Sequence, residues 1–223
     1  MTDLDFSSLA TALPLLLRGL WVTLEITIVA MAAGILWGIL LALARISGQP
    51  WLAWPAAFYV NLFRSIPLVM VILWFYLILP QVLRRLFGED IGDIRVICAL
   101  AAFTLFEAAY YAEIVRAGLL SVAQGQMAAG LALGLTRRQT LRHVVLPQAL
   151  RNMTPLLLTQ AIILFQDTSL VYVIGLSDFF GMAYKIGNRD GRLVELLLFA
   201  GLVYFLLSFA ASQWVRRYSA KSA

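Results

Sequence analysis

The chain has 223 residues, of which 62% are hydrophobic and only 13% charged, where soluble domains carry roughly a quarter charged. With a mean hydropathy of +0.87 it reads as a polytopic membrane protein, which excludes a soluble domain on a single anchor. The net charge of +5 does not point to nucleic acid, because the arginines stand at the ends of apolar runs, as topology and snorkelling signals do.

The first segment, 1–19, opens with Asp3 and Asp5 and holds a short apolar patch, Leu13 to Leu17. It lacks a basic leader and a small-residue cleavage site, so a cleaved signal peptide is not expected. It reads as a short helix lying on the outer surface. Span one covers about 20–44, slightly more than the roughly 20 residues a bilayer needs. Glu25 is its only charge, near the outer end, and Gly34 with Gly38 forms a small-xxx-small pair that favours close helix contact. A turn over 45–50 leads to an aromatic, semi-polar stretch, 51–62, then to Arg64, Ser65, Ile66 and Pro67.

Pro67 can kink or restart a helix, and span two runs over about 66–83. In the mixed loop that follows, Arg84, Arg85 and Arg95 are offset by Glu89, Asp90 and Asp93. Span three, about 94–115, carries Glu107 inside its apolar run and Glu113 near its inner end. Glu113 and Arg116 are spaced to pair along a helix. An acid within a span faces the bundle interior and needs a partner, so Glu107 is either a structural hydrogen-bonding group or a transport group.

The stretch 121–148 interrupts the apolar pattern. It carries Arg137, Arg138, Arg142 and the only histidine, His143, so it belongs in water or against another protein. Ala128 to Leu133 is rich in helix formers, Gly134 breaks the run, and Thr136 with Gln139 has the pattern of a capping box. The expectation is two short helices bent at Gly134, a stiff basic knob ending at Pro147. Span four follows over about 153–176, with Gln160, Gln166, Asp167, Thr168 and Ser169 inside it. Such groups must face protein or a water-filled path. Gln160, Asp167 and, more loosely, Thr168 share one side of a helix. Asp167 is expected to pair with a basic group, Arg64 being one candidate, and Gln160 is the better substrate contact. Span five covers 193–215, and the tail 216–223 is basic. One cysteine and one histidine argue against a protein metal site.

The knob resembles the cytoplasmic loop shared by membrane subunits of bacterial ATP-driven (ABC) importers. That loop reads EAA, three residues, Gly, nine residues, Ile, one residue, Leu-Pro. Gly134, Val144, Leu146 and Pro147 fall in this register, with Val for Ile, and Ala128, Ala129 and Gly130 stand where EAA would. A literal EAA at Glu107, Ala108 and Ala109 is a decoy, because its glycine would fall on Glu113. FRSIPLVMVILWFYLILP, FEAAYYAEIVRAG and LLLTQAIILFQDTSLVY extend the resemblance over nearly the whole chain and make it most similar to the glutamate/aspartate permease branch. The resemblance implies an all-α, type I importer permease fold of five spans in a bacterial inner membrane. It further implies a second permease subunit, an ABC ATPase dimer that binds ATP, and a periplasmic amino-acid-binding protein. It places Ala128, Ala129, Gly130, Gly134, Leu135, Leu146 and Pro147 at the contact with the ATPase. The substrate pathway is assigned to Arg64, Gln160, Asp167 and Thr168.

The chain has no G-x-x-x-x-G-K-[ST] loop, so ATP would act on another chain and no cofactor is expected on this one. With the N-terminus periplasmic and the C-terminus cytoplasmic, the inner face holds the larger share of the arginines. Two other classes fit the composition. An ion-coupled secondary transporter or channel would use Asp167 and Glu107 as coupling groups. A membrane-embedded enzyme would need a nucleophile–base pair that the sequence does not offer.

Overall fold

Two long helices form the axis of the bundle. In the computed structural model, which describes residues 5, 7, 9–88 and 93–222, α1 (Leu9–Ile46) and α4 (Arg95–Leu120) run in the same direction in close contact. Gly34 and Gly38 make this contact possible. A Cβ on Gly38 would come within 2.9 Å of the Ala112 nitrogen and 3.0 Å of the Ala108 oxygen, so the expected small-residue seam lies here against α4. Such close backbone approach supplies van der Waals contact where lipid removes the hydrophobic drive.

Five helices are long and apolar enough to cross a membrane: Leu9–Ile46, Leu68–Leu86, Arg95–Leu120, Arg137–Ile174 and Leu193–Ala220. The fold is all-α, with no strand among the described residues, as expected. Three boundaries differ from the sequence reading. First, residues 9–19 form no separate surface helix, since α1 is continuous from Leu9 across that division. Ala12, Leu16, Gly19 and Thr23 form one buried stripe at helical spacing. Ala12 and Leu16 join a core with Phe179, Ala183, Leu196 and Ala200, which ties this end to the bundle. Second, the aromatic stretch after Pro50 is itself a helix, α2 (Pro50–Arg64). Proline at the first helical position and the buried pair Ala56 and Val60, one turn apart, are its signature. At 15 residues it is too short to cross. α3 (Leu68–Phe87) then restarts after Pro67. Glu89 and Asp90, expected to offset Arg84 and Arg85, lie outside the described residues.

The third difference concerns the knob. α5 (Gln124–Ala132) is a separate short helix, but the second knob helix does not end at Pro147. α6 (Arg137–Thr140) passes through a π turn (Leu141–Val145) into α7 (Leu146–Asp167) and a 3-10 stretch (Thr168–Ile174). Pro147 removes a donor and crowds the preceding turn. The wider π turn directly before it accommodates the ring without ending the helix. α8 (Phe179–Asp190) and α9 (Leu193–Ser222) complete the chain.

Asp178 locks α8 to its neighbours. Its carboxylate caps α8, accepting from the Gly181 N–H at 2.9 Å and the Phe180 N–H at 3.2 Å. The Tyr204 hydroxyl of α9 donates to it at 3.4 Å, and Thr23 Oγ1 of α1 accepts from the Phe179 N–H at 3.1 Å. Burial pushes the Asp178 carboxyl up from 3.8 to about 6, against the opposing effect of the cap donors. The folded chain therefore binds more protons than the unfolded chain between those values, and stability falls as pH rises through that window. Asp178→Asn keeps an oxygen for the cap and should flatten this dependence. Thermal unfolding of the detergent-solubilised protein across the window checks it; equal pH slopes in the two proteins would refute the assignment.

Candidate functional site

The knob is built from two backbone devices. α5 ends in a Schellman arrangement: the Leu135 N–H donates to the Gly130 carbonyl at 3.1 Å and the Gly134 N–H to the Leu131 carbonyl at 3.0 Å. Gly134 has φ +82, with nothing within 4 Å of where a Cβ would stand. Its glycine is thus a matter of backbone angle, not of space. The next helix starts with the expected capping box: the Gln139 N–H donates to Thr136 Oγ1 at 3.3 Å and the Thr136 N–H to Gln139 Oε1 at 2.9 Å. Gly130 closes the bend. A Cβ there would lie 2.3 Å from Thr140 Cγ2, so α5 presses directly on the fully buried Thr140.

What the knob presents outward is apolar as well as basic. Ala128, Ala129, Leu146 and Pro147 are exposed, Leu135 is half-buried and Gly130 is buried. Leu133 is 83% exposed, with Arg137, Arg138, Arg142 and His143 exposed beside it in sequence. Exposed leucines on a stiff charged element suit a partner surface. This element is continuous with α7, so a load on the knob reaches the interior of the bundle without crossing a loop.

The polar groups of α7 meet one acid of α4. Gln160 is 9% exposed, and its Nε2 donates to both carboxylate oxygens of the fully buried Glu107, at 3.0 and 3.3 Å. Gln160 is therefore engaged inside the bundle. Thr168 is also buried, and its hydroxyl donates to the Phe165 carbonyl at 2.7 Å, where the helix tightens to 3-10 geometry. The expected pair between Asp167 and Arg64 does not form. Half-buried Asp167 has no ion pair among the described residues. Arg64 turns instead to Glu113, with Nη1 3.6 Å from its carboxylate, and lies 5.5 Å over the Tyr110 ring.

Glu113 is a convergence point. Arg116 pairs with it at 2.9 Å as expected, and Arg45 from the end of α1 donates to its other oxygen. Three arginines from three helices thus share one carboxylate, and Arg64, with 43% of its side chain exposed, is the least committed of them. The role of Arg45 was not foreseen, although Arg45 closes a span at the same membrane level as Glu113. Gln160→Leu should leave the Glu107 carboxyl buried without a donor, a loss of about 1–3 kcal/mol. Glu107→Leu/Gln160→Leu should recover much of that loss. Thermal unfolding of the two variants decides it, and a double variant no more stable than the single one would count against the pairing.

The comparisons with known proteins agree over almost the whole chain. Residues 34–222 match the family described as "Binding-protein-dependent transport system inner membrane component". The glutamate/aspartate import permease protein GltK of Escherichia coli O157:H7 is 57% identical over 95% of both chains. The arginine transport system permease protein ArtQ of Bacillus subtilis (strain 168) is 37% identical over 92% of this chain and 91% of its own. Among solved structures, an amino acid ABC transporter crystallised with histidines superposes with a TM-score of 0.87 at 30% identity, covering 99% of this chain and 100% of that one. The inward-facing MetNI methionine ABC transporter gives a TM-score of 0.70 at 27% identity, over 92% and 97% of the two chains.

Proposed function

The chain belongs to the family of binding-protein-dependent transport system inner membrane components, and from that premise we propose that it carries glutamate and aspartate across the inner membrane, driven by ATP hydrolysed on a separate subunit. It is a permease subunit of an amino acid ABC importer rather than an enzyme, and such a permease works beside an ATPase and a second permease. The acidic substrate is taken from the relative at 57% identity. A periplasmic amino-acid-binding protein delivers it.

One observation carries the coupling role: the knob, fixed by Gly134 and the capping box, is the base of a helix that runs unbroken to Ile174. Ala128, Ala129, Gly130, Gly134, Leu135, Leu146 and Pro147 form or support the surface that the ATPase pushes. Closure of the ATPases displaces the knob, α7 moves with it, and the Glu107–Gln160 contact carries the motion to α4. Arg64 supplies the positive charge that favours an anionic substrate, with Thr168 holding the helix end beside the path. In this reading Gln160 serves the path as a link between helices, and Asp167, in no ion pair among the described residues, repels anions from part of the wall.

The knob end of the bundle is the cytoplasmic one. It gathers Arg45, Arg116, Arg137, Arg138, Arg142, Arg151, Arg216 and Arg217 with Glu113 as its acid, whereas basic and acidic groups are mixed at the opposite end. The N-terminus is then periplasmic and the C-terminus cytoplasmic. A membrane-impermeant thiol reagent added outside should label a cysteine at the exposed Asn188 and miss one at the exposed Arg138. The reverse pattern would invert the topology.

Gly134→Val places a β-branched residue at positive φ, at a cost of roughly 1–2 kcal/mol in the bend. It should abolish ATP-dependent glutamate uptake in proteoliposomes holding the whole transporter, while the complex still assembles and hydrolyses ATP. Uptake at the normal rate would sink the coupling role of the bend.

A further inference from the structure

A cavity of about 310 Å³ opens between α1, α7 and α9. Its wall is formed by Leu24 of α1, Leu158 and Phe165 of α7, and Leu207, Ala211 and Trp214 of α9, among others. Ser208 supplies the only hydroxyl among these lining residues, and it is buried with no hydrogen-bond partner among the described residues. The volume falls within the roughly 300–1,000 Å³ of small-ligand sites. The lining excludes an amino acid, whose charges would find no partner in it.

Charge stands at one end of this cavity. Arg216 and Arg217 follow directly on Val215, which lines it. Arg151 stands seven positions before Leu158, two helical turns away and on the same side of α7. All three are exposed, and none makes an ion pair among the described residues. Trp214, 59% exposed at the rim, stacks on Tyr218 with ring centroids 6.1 Å apart. Tryptophan and tyrosine concentrate at the headgroup level of a bilayer, so the rim of the cavity and the arginines coincide with the interface at the C-terminal end of α9.

We propose that this groove is a binding site for an anionic phospholipid, one acyl chain filling the cavity between α7 and α9 and the phosphate lying on Arg151, Arg216 and Arg217. An apolar slot ending in unpaired cations matches the two halves of such a molecule. Arginine is suited to the phosphate because its planar guanidinium can donate two parallel hydrogen bonds. The lipid would brace α9 against α7, the helix that continues from the knob.

The test uses the assembled transporter, delipidated in detergent and re-exposed to phosphatidylglycerol or phosphatidylcholine, with retained lipid read by native mass spectrometry. The intact protein should retain phosphatidylglycerol in preference. Arg216→Gln and Arg217→Gln should each lower that preference about fivefold, since a basic residue near the surface contributes about 1 kcal/mol. Ala211→Phe, which fills the slot, should abolish retention of both lipids. Should Ala211→Phe fail to assemble, the exposed arginine variants still decide the matter. Equal retention of the two lipids by the intact protein, or an unchanged preference in the arginine variants, would mean ordinary annular lipid and overturn the proposal. Oxidative disulfide crosslinking of Ala211→Cys to a cysteine introduced in the second permease would overturn it too, as a protein interface.

Discussion

A carboxyl group in the middle of a membrane bundle has to be satisfied by protein, and Glu107 imposes that requirement on everything around it. Water cannot reach it and lipid offers no donor. The Gln160 amide answers at 3.0 Å, which fixes the rotation and depth of α7 against α4. α1 enters the same arrangement from the other side, because Gly34 lets it settle against the Glu107 and Tyr111 side chains. Three spans are thereby referred to one polar contact, and the remaining helices pack around that core.

Around this contact, each element does one physical task. The glycine seam brings α1 onto α4, Asp178 ties the start of α8 to α9 while the Phe179 N–H ties it to α1, and Glu113 gathers arginines from α1, α2 and α4. These sites share a logic. Glu107, Asp178 and Glu113 each tie elements that are distant in the chain, where a soluble protein would use hydrophobic burial. A permease must move and still hold its helices together, and a few directional contacts leave the apolar surfaces between them free to slide.

Much of this was legible in the residues. The apolar runs locate the five spans, the Gly34–Gly38 pair marks the seam, and the Gly134 bend with its capping box is present as read. These features are local, set by spacing along the chain. What was not legible is non-local or depends on tolerance. Asp178 reads as a loop charge, and only the fold brings Tyr204 to it and Thr23 to the neighbouring Phe179 N–H. Pro147 reads as a stop, and only the π turn lets the helix pass through it. Arg64 and Asp167 are plausible partners by charge, yet Glu113 is the acid within reach of Arg64. Opposite charges can be counted in a sequence, but which pair meets is decided by helix depth and direction.

The π turn at Leu141–Val145 also changes how the two halves of the long helix relate. A π turn holds about one residue more than an α turn, and one residue subtends about 100° of rotation. Counting at 3.6 residues per turn from Arg138 therefore misplaces every side chain beyond Val145 by about that angle. The knob and the membrane section of the helix are thus phased independently, by a single residue of slack. Length variation within this turn would re-aim the outward face of the knob while leaving the interior face of α7, with Gln160 on it, where it is. The chain has in this turn a place where the surface offered to another protein can diverge without disturbing the path through the membrane.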